Sequence, residues 1–201
     1  MKLISVCFCV LLLVFASTSI GFVFGANDYL FPKATAGEIN EAVEKLTPLR
    51  ILPSNPLHFF ISVKENITRF FNASSVKRAE FDLTLSGKRL KEAYLLTEKN
   101  DVANASKALF KYSRRLEKLR EQMEKAKIQN QVVVELSEKI ADDMAMHERF
   151  LYVISQKSES YQNSYNFAGN FQKAENEFME TVLAIDNVKP GLKDRFPYLW
   201  D

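Results

Sequence analysis

The chain has 201 residues, room for one ordinary domain with or without an appendage. Hydrophobic residues make up 47% and aromatics 12%, which excludes a disordered chain and supplies material for a core. Lys and Arg number 27 against 25 Asp and Glu, so no global charge points to nucleic acid as a partner.

The N-terminus reads as an address. Met1-Lys2 is a short positive region, Leu3 to Phe15 is uninterruptedly apolar, and Ala16-Ser17-Thr18-Ser19 follows. Val23-Phe24-Gly25-Ala26 offers small residues for a signal peptidase, so residues 1–26 are expected to be a signal peptide. The alternative is an uncleaved anchor over residues 3–24, since about 20 apolar residues span a bilayer. Either way, the chain after residue 26 is expected on the outer side of the cytoplasmic membrane, secreted or anchored. Cys7 and Cys9 both fall in this run. A lipoprotein is not expected, because the residues before these cysteines are bulky. The remainder has no thiol for a disulfide, a nucleophile or a zinc site.

Proline placement organises the rest. Pro32, Pro48, Pro53 and Pro56 precede residue 57, and Pro190 and Pro197 lie near the end. Between Leu57 and Lys189 there is no proline, and the only glycines are Gly87 and Gly169. Proline costs a helix interior about 3 kcal/mol and glycine about 1, so this stretch is written for long helices.

Residues 27–54 form an N-terminal segment with one short helix. Thr35 to Glu38 reads as a capping box, with Ile39, Val43 and Leu46 on one face. The second helix starts at Ser54 or Asn55, with Pro56 in its first turn, and carries Phe60, Val63, Ile67, Phe70 and Phe71 on an apolar side. Asn72 to Ser75 breaks and recaps the chain. A third helix follows from about Val76 to Glu98, with Ala79, Leu83, Leu90 and Ala93 inward. Asp101 caps a fourth, on which Ala105, Leu109, Tyr112, Leu116, Leu119, Met123 and Ala126 hold a heptad seam over about 39 Å. Val133, Leu136, Ile140, Met144, His147, Leu151 and Ile154 continue the pattern. The last run uses Tyr161, Tyr165, Ala168, Phe171, Phe178, Val182 and Ile185. Short turns between such helices predict an all-α fold, an elongated antiparallel bundle of coiled-coil-like hairpins. Residues 55–157 form its main domain; residues 158–201 add a C-terminal helix and aromatic tail.

The opening Leu52-Pro53-Ser54-Asn55-Pro56-Leu57 is followed by an aromatic helix ending Arg69-Phe70-Phe71. Then come Lys77-Arg78-Ala79-Glu80, Leu83 and Leu85, and Lys88-Arg89-Leu90-Lys91-Glu92-Ala93. With these residues the chain resembles a family of exported or anchored prokaryotic proteins carrying a domain of unknown function, DUF5667, over roughly residues 50 to 155. The resemblance implies a signal or anchor, an extracytoplasmic helical hairpin and no known activity. Gly87 departs from it, standing where the family favours alanine, and is expected to loosen the third helix.

Two constellations carry candidate chemistry. Asp143 and His147 share a helix face beside Met144 and Met146, but two ligands do not make a metal site. His147 also falls on the seam, so it reads as a structural histidine. Lys107, Lys111, Arg114, Arg115 and Lys118, with Arg120, form a basic stripe on the fourth helix. Such a stripe could suit lipid headgroups, an anionic polymer or nucleic acid, but Glu117, Glu121 and Glu124 interleave it, with Glu117–Arg120 and Glu121–Lys125 as expected pairs, so it reads first as a solvated, salt-laced face. Asn66, Asn72 and Asn104 begin glycosylation sequons, better explained by helix capping. Trp200 and its neighbours form a tail that either docks on the bundle or presents a partner-binding tip.

No nucleophile elbow, phosphate loop or His-Glu-x-x-His helix is present. The expectation is a non-enzymatic envelope scaffold or interaction protein without cofactor or metal. Its partner would be an envelope protein or anionic polymer, with membrane association through residues 3–24. The alternative is a binding protein whose Phe-rich second helix and Tyr/Phe-rich last helix line a pocket for an apolar or metal-containing ligand.

Overall fold

The short turns and long proline-free stretches do produce helices stacked side by side. The computed structural model describes residues 31–197 apart from 47, 50, 51, 53, 54, 56, 162 and 163. Its α-helices are α1 (Ala36–Lys45), α2 (His58–Phe71), α3 (Ser75–Glu98), α4 (Val102–Ile128), α5 (Val134–Ser158) and α6 (Tyr165–Asp186). The described residues contain no strand. The run expected to be a signal peptide or anchor, both cysteines, Pro53, Pro56 and Trp200 lie outside the described residues. No described helix is long and apolar enough to cross a membrane.

Local chemistry sets the ends. The Thr35 hydroxyl accepts from the Glu38 amide at 3.3 Å, and the Glu38 carboxylate accepts from the Thr35 amide at 2.8 Å, completing the expected capping box. Ser74 caps α3 and Asp101 caps α4. Both α3 and α4 end on a left-handed asparagine, Asn100 (φ 56°) and Asn130 (φ 54°). After each, the next amide reaches back to a carbonyl of the last turn, Asp101 to Leu96 and Gln131 to Ala126, both at 2.9 Å. Asn55 accepts from the Leu57 amide at 2.9 Å, so α2 begins a little later than expected, at His58.

Helices α3 to α6 run alternately up and down, and each packs beside two others: α3 on α4, α4 on α6, α6 on α5 and α5 on α3. The consecutive helices α4 and α5 are therefore diagonal, not adjacent, and meet across the core through Tyr112 and His147. Every seam residue expected on α4 and α5 is buried. On α6 the expectation needs one correction: Ala168 is exposed and Phe167 takes the inward place. Segment α1 lies on α5, where Arg149 pairs with Glu41 at 2.9 Å. Lys91 of α3 donates to the Val43 and Leu46 carbonyls at the end of α1, satisfying groups the helix leaves open. Phe31 packs edge-on against Phe171 and Phe178. Phe196 is fully buried against Phe178, so this part of the aromatic tail docks.

Gly87 sits mid-helix without breaking or loosening α3. A Cβ there would come within 2.9 Å of Leu46 Cδ2 and 3.0 Å of His147 Nε2. The glycine lets α1 and α5 close on α3, so the expected local weakness is instead a point of tight packing.

Candidate functional site

The departure from expectation is α2. On a helix of 3.6 residues per turn, Phe59, Phe60, Val63, Ile67, Phe70 and Phe71 share one side, while His58, Glu65 and Arg69 share the other. The polar side faces the bundle. Phe59 and Phe60 are each 67% exposed, and Phe70 and Phe71 are 80% and 76% exposed. An apolar helix face on a globular protein ordinarily turns inward; here it turns outward.

The floor on which α2 rests explains this. The helix runs antiparallel to α3 and lies over side chains that project from α3: Asp82, Lys88, Arg89 and Glu92. Arg69 and Arg115 both grip Asp82, at 2.8 and 3.0 Å. Arg89, only 3% exposed, bonds both oxygens of Glu92 at 2.6 and 2.8 Å and also pairs with Glu65. Lys88 joins Glu65 as well. His58 closes the ladder, its Nε2 lying 3.1 Å from Arg89 and 3.3 Å from Glu92. Had the phenylalanines faced this floor, Asp82 would have kept only Arg115 and Arg89 only Glu92, while Lys88 would have lost water without gaining a counter-charge, a penalty of several kcal/mol for an unpaired ion. Ion pairing therefore decides which side of α2 is hidden.

The basic stripe of α4 is divided by this arrangement. Arg115 is drawn under α2 to Asp82, and Arg114 pairs with Glu117 at 2.6 Å. Glu117 therefore does not serve Arg120, which reaches Glu177 at 2.5 Å and Glu180 at 3.4 Å on α6. Lys107, Lys111 and Lys118 remain without an ion pair to a described residue. Burial, and then the neighbouring guanidinium of Arg89, holds the Lys111 ammonium below its ordinary pKa. Burial, then Arg115 and Arg69, does the same to Lys118. Both lysines thus stand at the edge of α2 among charges of both signs, Glu92 and Glu65 working against the shift of Lys111 and Asp82 against that of Lys118. The expected site residues consequently split: Lys111 and Lys118 border α2, Lys107 lies farther along α4, Arg114 and Arg115 are paired, and Trp200 is outside the described residues.

Sequence reasoning marked the phenylalanines as an apolar face but missed the ladder beneath them. Its signal was present as Asp82, Arg89 and Glu92 at steps of seven and three on α3, matched by Glu65 and Arg69 four apart on α2. The sequons are used locally: Ser74 caps α3, and the Asn104 amide binds Asp101 at 2.9 Å.

The constellation of Asp143 and His147 resolves into core. His147 is fully buried, with Nδ1 3.4 Å from the Tyr112 hydroxyl and Nε2 without a partner against Gly87 and Leu46. Among the described residues, no group of three or more His, Asp and Glu side chains could hold a metal ion. Burial lowers the His147 pKa from 6.5 to about 3, so the folded chain keeps it neutral where the unfolded chain takes up a proton. This contribution to stability is intact above pH 6.5 and is lost as pH falls toward 3. Between pH 6.5 and 5 the loss is about 2 kcal/mol, at ~1.4 kcal/mol per unit. Urea unfolding across that interval should show this slope in the parent and a flatter one in His147→Leu. Equal slopes would mean that another group carries it.

A shallow cleft where α4 and α6 begin is lined by Ser106, Lys107, Tyr161, Asn166 and Asn170. Three of its polar residues engage one another, since Ser106 donates to the Asn166 carbonyl at 2.8 Å and accepts from Asn170 at 2.9 Å.

With this geometry in view, the comparison with known families is specific. Residues 50–143 match the family model of a domain of unknown function, DUF5667. That segment belongs to the DUF5667 family. It spans α2, α3, α4 and the first part of α5, so it contains the whole charged ladder and the exposed apolar face. The match ends short of residue 155, and α1 and α6 lie outside it. No curated protein and no solved structure matches the chain.

Proposed function

We propose that this protein is a non-catalytic, extracytoplasmic interaction or scaffold module of the cell envelope, working through the outer face of α2. One observation carries the reading. The DUF5667 segment spends its charged side chains on holding α2 in place and leaves a row of phenylalanines in water, a patch of the kind that marks interaction sites. The apolar run of residues 3–24 supports the compartment. The competing ligand-binding reading needs aromatics around a cavity. Instead the α6 aromatics fill the core edge-to-face, and the α2 phenylalanines face outward on a convex helix.

The test is a photo-crosslinking residue at position 60 of the full chain, expressed in the source cells, with position 121 on α4 as control. An adduct with protein or lipid at 60 and none at 121 is expected. No adduct at 60 would overturn the assignment of α2 as the working face.

A further inference from the structure

The outer face of α2 and the cations beside it point to one kind of partner. The apolar ridge runs the length of α2, about 20 Å at 1.5 Å per residue, and contains no carboxylate. The one acid of α2, Glu65, is turned under the helix to Arg89 and Lys88. Lys64 is exposed on α2 itself, and Lys111 and Lys118 of α4 border it, with Lys107 farther along. Phenylalanines on one side with lysines at the margin is the pattern of a helix lying in a membrane interface.

We propose that the outer face of α2, with Lys64, Lys111 and Lys118 along its margin and Lys107 beyond them on α4, docks on an anionic phospholipid bilayer. This rests on the reading of α2 as the working face and names its partner. A bilayer supplies both chemistries from one surface: acyl chains for Phe59, Phe60, Phe70 and Phe71, and phosphates for the lysines. A second copy of the chain suits the site less well, because pairing two α2 faces would bring two unpaired lysine rows together. Helix α2 would lie in the plane of the headgroups, with the ladder of Asp82, Arg89 and Glu92 fastening the bundle above it.

The test uses the full chain in the form Phe60→Trp, Trp200→Phe, so that the single indole reports on α2. Residues 3–24 would retain the protein on vesicles whether or not α2 docks, so the readout is the indole and not sedimentation. In vesicles of phosphatidylglycerol and phosphatidylcholine in equal parts, the indole is expected to be quenched by brominated acyl chains and shielded from acrylamide. In phosphatidylcholine alone it stays open to acrylamide. Changing Lys107, Lys111 and Lys118 to Glu should weaken docking about a hundredfold or more, at ~1 kcal/mol per basic residue near the surface. Circular dichroism should show the bundle intact. Equal bromine quenching in both vesicle types, unaffected by the lysine changes, would overturn the anionic requirement. An indole open to acrylamide in both would overturn lipid docking altogether. Shielding that rises with protein concentration and needs no lipid would overturn it in favour of a second copy, leaving α2 as the working face.

Discussion

Arg89→Ala is expected to cost about 3–5 kcal/mol, the loss typical when one partner of a buried ion pair is removed. The guanidinium is almost wholly enclosed and serves Glu92, Glu65 and His58 together. Without it, Glu92 stands fully buried with His58 as its remaining hydrogen-bond partner, while Glu65 retains Lys88. The penalty comes less from the lost attraction than from the carboxylate left in a dry place. The double change Arg89→Leu, Glu92→Leu removes both charges and restores apolar volume, so it should recover most of the loss. Urea midpoints followed by circular dichroism measure both. A single variant within 1 kcal/mol of the parent would show that the ladder is far better hydrated than its burial implies.

Gly87→Leu is the second large effect, about 3 kcal/mol, at the upper end of what overpacking a filled core costs. The new side chain would start 2.9 Å from Leu46 and 3.0 Å from His147, with α1 on one side and α5 on the other. Leu46 is the end of α1 and is held by Lys91, so it yields only if α1 lifts from α3. Gly87→Ala separates the two contributions. In an open helix it would gain about 1 kcal/mol from propensity; here the variant should be no more stable than the parent. A thermal melt showing Ala clearly more stable would mean that the contact relaxes freely and that the glycine is not required for packing. Cleavage of the Leu variant near residues 47–55 under limited proteolysis is the expected sign that α1 has come away.

The two predictions differ in how visible their origin is in the sequence. Gly87 stands out as a helix-interior glycine, but its spacing gives no reason for it. The reason lies in Leu46 and His147, which reach it from positions 41 residues before and 60 after. Arg89 reads locally as one basic residue in a Lys-Arg-Leu-Lys-Glu run, an ordinary solvated helix surface. Only when α2 lies across α3 does that surface become an interior, almost closed to water.

What the sequence determined by itself was everything that depends on neighbours a few residues apart. The capping box at Thr35, the caps at Ser74 and Asp101, and the heptad seams of α4 and α5 follow from spacings of three and four residues, which place side chains on one face or at one helix end. That was enough for the all-α class and for most of the core. The sequence also showed that α2 has an apolar side. It did not determine which way that side points, nor that Arg115 would leave the basic stripe for Asp82, nor that α4 and α5 would sit across a diagonal. Those choices belong to the tertiary structure, because a helix has no inside until another surface is brought against it. Here that surface carries Asp82, Lys88 and Arg89, and the cost of drying them without Arg69 and Glu65 opposite turned the charged side of α2 inward and its phenylalanines out.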